Sequence, residues 1–182
     1  MIEADGLGGF SLAAVARSLG VSSGAPYHHF KDADEVLRCV AEQAFAHVLE
    51  GVTSAVESRL TAGPLDAETL RTATTIMCHG LLQYSLDHPV LFRMAVTDYR
   101  PRPESEAFLL VSGFLKQDLV TSSGLVAAGR SEEFGAAVYV VLRGLAAVAE
   151  EAPRLVAHSD EPHLLLDQLL DALFLAFRPS SD

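Results

Sequence analysis

Residues 11–31 bring together Arg17, Lys31 and the adjacent imidazoles of His28 and His29, with no Asp or Glu among them. This window holds two formal positive charges inside a chain whose net charge is -11 at pH 7. Proteins gain much of their affinity for nucleic acid when Lys and Arg replace condensed phosphate counterions, so the location of charge matters more than its sum. The acidity lies mainly after residue 32, which leaves the window free to meet phosphate.

Other chemistries find little support. The sequence has no Gly-rich phosphate loop, no HExxH and no GxSxG. Cys78 and His79 are adjacent, but successive residues on a helix do not face each other, so no thiol-imidazole pair is expected. His158 and His163 flank Asp160 and Glu161 across a loop with Pro162, a spacing unspecific for metal that reads as surface near a helix start. No enzymatic activity, cofactor or metal is expected. Cys39 and Cys78 belong to no CxxC group, which argues against a stapled secreted fold and for the cytoplasm. No signal peptide is recognised, and the apolar stretch 164–177 is too short for a bilayer and is interrupted by Asp167, Gln168 and Asp171. No membrane partner is expected.

The elements that must position the basic window are helical. Apolar residues make up 49% of the chain and charged ones 20%, and abundant Ala and Leu with few strand-like runs predict an all-α fold. Ser11 caps the first clear helix, whose inner face is Leu12, Val15, Ala16 and Leu19. Gly20 ends it, Val21 follows as a buried turn residue, and Ser22 caps a second helix over 23–30 that tolerates Pro26 in its first turn. Asp32, with Glu35 three residues on, opens a long helix to about Leu60 with a stripe of Val36, Val40, Phe45, Val48, Val52 and Val56. From Asp66 a helix aligns Leu70, Ala73, Met77, Leu81 and Tyr84 and stops near His88-Pro89, before a short helix over 90–96. Pro103 or Glu104 begins a helix through Phe108, Val111, Leu115 and Leu119. Ser131 caps a helix with Phe134, Val138, Val141, Leu145 and Val148 in register, and Pro153 marks its exit. The last helix, about 161–177, is apolar over more than one face, an excess suited to a subunit interface. Residues 1–45 therefore form a helix-turn-helix head and 46–182 a helical body.

The run from Phe10 to Leu37 resembles the DNA-binding head of the TetR family of bacterial repressors. The resemblance rests on Val15-Ala16, Leu19-Gly20-Val21-Ser22, Gly24-Ala25-Pro26-Tyr27-His28-His29-Phe30, and Leu37 at the start of the long helix. It implies that the second helix enters the major groove of a palindromic double-stranded DNA operator while flanking groups hold phosphate. In that arrangement Ser23, Gly24 and Ala25 approach bases or backbone, Tyr27 and His28 contact phosphate or base edges, Lys31 grips phosphate and Ser22 adds a phosphate hydrogen bond. The family also carries a basic helix before this run, and residues 1–9 supply at most its last turn. Beyond residue 50 the resemblance is one of helix layout. In 139–145, Tyr139 and Arg143 stand where one subgroup has Trp and His, and Gly144 agrees.

The resemblance further implies a small-molecule effector and a homodimer formed by the helices at about 131–152 and 161–177. Pockets are mostly apolar with a few polar handles. Met77, Tyr84, Phe92, Phe108, Phe114 and Tyr139 are candidate lining, with His79 or Arg143 to orient a polar group; an ordinary core stripe is the competing reading. The expected function is a ligand-responsive regulator, a repressor released by a small molecule. The alternative is a helical small-molecule-binding dimer without DNA-binding activity.

Overall fold

The computed structural model describes residues 2, 7–61, 66–95, 123–151 and 161–179. These residues are all-α, with six α-helices and no strand among them. We number them α1 (Leu12–Ser18), α2 (Ala33–Thr61), α3 (Ala67–Asp87), α4 (Pro89–Arg93), α5 (Ser131–Glu151) and α6 (Glu161–Phe177); 3-10 turns occupy Leu7–Gly9 and Ala25–His28.

Local chemistry accounts for the helix ends. The Ser11 hydroxyl accepts from the Ala14 N–H at 3.1 Å, and Asp66 accepts from the Thr69 N–H at 2.8 Å, so each satisfies a donor orphaned by the first turn. Asp32 accepts from the Glu35 N–H at 2.9 Å, and the Glu35 carboxylate accepts from the Lys31 N–H at 2.6 Å, which ties the basic window to the start of α2. At the end of α1, Gly20 has φ +69°, the Gly20 N–H donates to the Arg17 carbonyl and the Val21 N–H donates to the Ala16 carbonyl. This is the Schellman motif, and its left-handed residue favours glycine.

Helix α3 is central and packs against α2, α4, α5 and α6. Its buried face, Leu70, Ala73, Met77 and Leu81, joins Phe134, Val138 and Leu145 of α5 and Leu166, Leu170 and Phe174 of α6 in the main core. Phe134 is fully buried, with its ring 5.7 Å from Phe174 and 5.6 Å from Phe177. The turn before α5 closes the end of α6: the Ala127 N–H donates to the Phe177 carbonyl at 2.8 Å, and the Arg130 guanidinium donates to the Ala176 carbonyl at 3.1 Å while lying 4.2 Å above the Phe177 ring.

A second, smaller core joins the head to the body. Leu37 and Ala41 of α2 are buried with Met94 and Ala95, and Leu7, Phe10, Val90 and Leu91 pack around them. The head thus shares its interior with α4 and the two residues beyond it.

Several expectations need correction. Residues 23–30 do not form an α-helix; Ala25–His28 is a 3-10 turn, held by i→i+3 bonds from Tyr27 to Gly24 and from His29 to Pro26. Pro26 offers no N–H, and a segment this short closes more readily with the tighter turn. Leu19 and Val21 are not buried but 71% and 49% exposed. Helix α1 ends at Ser18, its inner face is filled by Leu12 and Ala16, and no described residue covers its far end. The short helix expected over 90–96 is Pro89–Arg93. Val148 is exposed rather than core. The helix expected through Phe108, Val111, Leu115 and Leu119, and the exit at Pro153, lie outside the described residues, as do the side chains of Phe45, Val48, Val52 and Val56.

Candidate functional site

The head presents one continuous accessible surface. Ser22, Ser23, Gly24, Tyr27, His28 and Lys31 are exposed and Ala25 is half-buried, so the structure brings all seven residues singled out for DNA onto the loop and turn between α1 and α2. Tyr27 is 60% exposed, more than packing against the head would leave it. Arg17 and His29 are exposed as well, and Pro26 and Phe30 turn partly inward. The arrangement offers hydroxyls, a phenol, imidazoles and two cations with no carboxylate in 11–31, the donor set that holds phosphate oxygens.

The residues expected to meet a small molecule are dispersed. Met77 and Phe92 are buried, at 4% and 7%, with Met77 in the main core. Tyr84 is half-buried beside that core, with its ring 4.8 Å from His88. Tyr139 lies on the outer side of α5 with the Arg143 guanidinium 5.9 Å from its ring. Phe108 and Phe114 lie outside the described residues. A separate cleft of about 420 Å³ opens between the start of α3 and the end of α6, lined by Arg71, Leu125, Asp171, Phe174 and Arg178 among others. Arg71 bridges it, 2.6 Å from the Asp171 carboxylate and 4.9 Å from the Phe174 ring. None of the described residues among those expected to meet ligand lines this cleft.

Large apolar side chains are exposed on α5 and α6, beside the exposed Asp167, Gln168 and Asp171 of α6. Tyr139, Val140 and Val148 are exposed on α5, and on α6 Leu164 and Leu175, eleven residues apart, share one exposed face with Leu165 beside it. A helix normally turns such residues to a partner, and here the inner stripes already fill the core.

A polar group that sequence reasoning overlooked joins α3 to α6. His79 meets His163 through their Nδ1 atoms at 2.8 Å, Asp167 lies 2.6 Å from His79 Nε2, and Gln83 Oε1 lies 2.9 Å from His163 Nε2. The legible signal was two i,i+4 pairs, His79/Gln83 and His163/Asp167, but nothing in the sequence says that their helices face each other. The adjacent Cys78 thiol is fully buried, which pushes its pKa up to about 12 and keeps it from acting as a nucleophile.

The fold defined by these helices has a solved counterpart. A protein with unknown function from Rhodococcus sp. RHA1 superposes with a TM-score of 0.70, over 98% of this chain and 90% of that one, at 22% sequence identity. This likeness shows the fold. No protein-family profile matches the chain, and no curated protein does.

Proposed function

We propose that this chain is a ligand-responsive transcriptional regulator of the TetR type, a cytoplasmic repressor that binds a palindromic operator as a homodimer and is released by a small molecule. The observation that carries this reading is the accessible segment from Ser22 to Lys31, which itself holds no Asp or Glu, set between a Schellman-terminated helix and a long helix whose Glu35 accepts from the Lys31 N–H. Arg17 and Lys31 neutralise phosphate, Ser22 and Ser23 donate to phosphate oxygens, and Tyr27 and His28 reach base edges or backbone. The exposed apolar residues of α5 and α6 support the dimer, which places two heads at half-sites roughly 34–36 Å apart.

The shared core supports a route for release. Met94 and Ala95 follow α4, whose neighbour α3 forms the body's core, and they are buried against Leu37 and Ala41 beneath the head. An effector that favours a different α3–α4 arrangement shifts the population towards dimers whose heads no longer match the half-sites.

An electrophoretic shift with the DNA upstream of the gene tests the reading. The regulator yields a salt-sensitive, sequence-selective complex. The net charge of -11 favours a second reading, a small-molecule-binding dimer that leaves DNA alone, and in that case no selective complex forms at any salt concentration.

A further inference from the structure

The hydrogen bonds between α3 and α6 fix how many protons their two imidazoles hold. The Asp167 carboxylate accepts only, so His79 donates to it from Nε2 at 2.6 Å. The Gln83 amide nitrogen donates to the Asp87 carboxylate at 3.0 Å, which leaves Gln83 Oε1 facing His163, and His163 donates to that oxygen from Nε2 at 2.9 Å. Between the rings the two Nδ1 atoms stand 2.8 Å apart, with the ring planes 5° from parallel and the centroids 5.0 Å apart. This is an edge-to-edge approach, a head-on N–H···N hydrogen bond that needs one proton on either nitrogen. The four ring nitrogens thus hold three protons, whereas two neutral imidazoles hold two and two imidazolium ions hold four. The docked pair carries one positive charge beside the Asp167 carboxylate.

We propose that α6 docks on α3 through an imidazole pair that shares a single proton between its Nδ1 atoms, a pH-sensitive latch that grips best when the two rings together carry one positive charge. With both rings neutral, either the Nδ1 lone pairs face each other or Gln83 flips and turns its oxygen on Asp87. With both rings charged, two N–H groups and two like charges meet. Asp167 is the charged group that bonds a ring directly, and Asp87 acts through Gln83. Asp171, one turn along α6, is engaged by Arg71 at 2.6 Å, and Cys78 beside His79 is a buried, uncharged thiol. Among the described residues, no charged group of α2, α4 or α5 bonds to either ring. Stability falls with rising pH where the folded chain holds more protons than the unfolded one, and falls with dropping pH where it holds fewer. Unfolded imidazoles titrate at about 6.5, so the latch is strongest near that pH, and its effect on the unfolding constant declines by up to about tenfold per pH unit on either side. The latch concerns the packing of α6 on α3 and does not depend on DNA binding.

Denaturant unfolding of the full chain across the imidazole range tests the latch, read as the ratio of unfolding constants between the wild type and the His79→Gln/His163→Gln double variant. The expected stabilisation peaks at about pH 6.5 and falls on both sides. Asp87→Asn leaves both rings in place but lets the Gln83 amide flip, so that its nitrogen donates to His163 Nε2 while its oxygen accepts from the new amide. The neutral pair then keeps every contact, and the alkaline decline disappears while the acid one stays. His47→Gln, at an exposed residue of α2, leaves the shape of the curve unchanged. NMR of the imidazole nitrogens in the native chain, near the pH of greatest stability, shows both Nε2 atoms protonated and one proton between the two Nδ1 atoms, a readout independent of whether the double variant folds. A stabilisation that does not vary with pH, an Asp87→Asn curve that matches the wild type, or a His163 ring unprotonated at Nε2 overturns the latch.

Discussion

The head and the body solve the problem of burial in different ways. The body wraps α3 with α5 and α6 around an interior that includes Phe134, Leu70, Leu166 and Leu170, each at most 1% exposed. The head has a two-turn helix and a 3-10 turn, and its interior depends on Leu37, Ala41, Met94 and Ala95. Short elements cannot enclose much apolar surface, so the head leaves Leu19, Val21 and Tyr27 in the open and takes its support from the residues after α4. A division at residue 45 separates the functions expected of the two parts but cuts through the interior they share.

Substitutions can break this contrast. The largest effect is expected from Phe134→Ala, which opens a cavity among Phe174 and Phe177 and costs about 3–5 kcal/mol in denaturant unfolding. Met94→Ala follows at about 2–4 kcal/mol, and hydrogen exchange should show faster opening over 11–31 than over α6. Gly20→Ala forces a side chain into the left-handed region and costs about 1–2 kcal/mol, read as a lower unfolding midpoint. Leu19→Ala sits at the small end, within about 0.5 kcal/mol, because its side chain is already in water. If Leu19→Ala matched Phe134→Ala, the Leu19 side chain would have to be packed rather than in water, against its 71% exposure.

Much of the architecture was legible because capping chemistry is local. Ser11, Gly20 and Asp66 mark helix ends through bonds to residues at most four positions away, and the bounds of α6 follow from its apolar run between Pro162 and Pro179. The seven residues proposed for DNA fall in a segment whose position between two helix ends was legible, although its helix type was not, and six of the seven are exposed there. Leu19 and Val21 were misread because periodicity states which face a residue occupies, and not whether anything packs there. The imidazole pair was hidden because His79 and His163 are 84 residues apart and meet only when α6 docks on α3. Arg130 over Phe177 is similarly a product of docking, 47 positions distant.

The central claim is that the surface from Ser22 to Lys31 holds phosphate, and fluorescence anisotropy with upstream operator DNA over a salt series tests it most directly. The account predicts a steep fall in affinity with salt, and for Lys31→Ala a weaker complex whose log-log slope is smaller by about 1. A complex whose affinity and slope are unchanged by Lys31→Ala would contradict it.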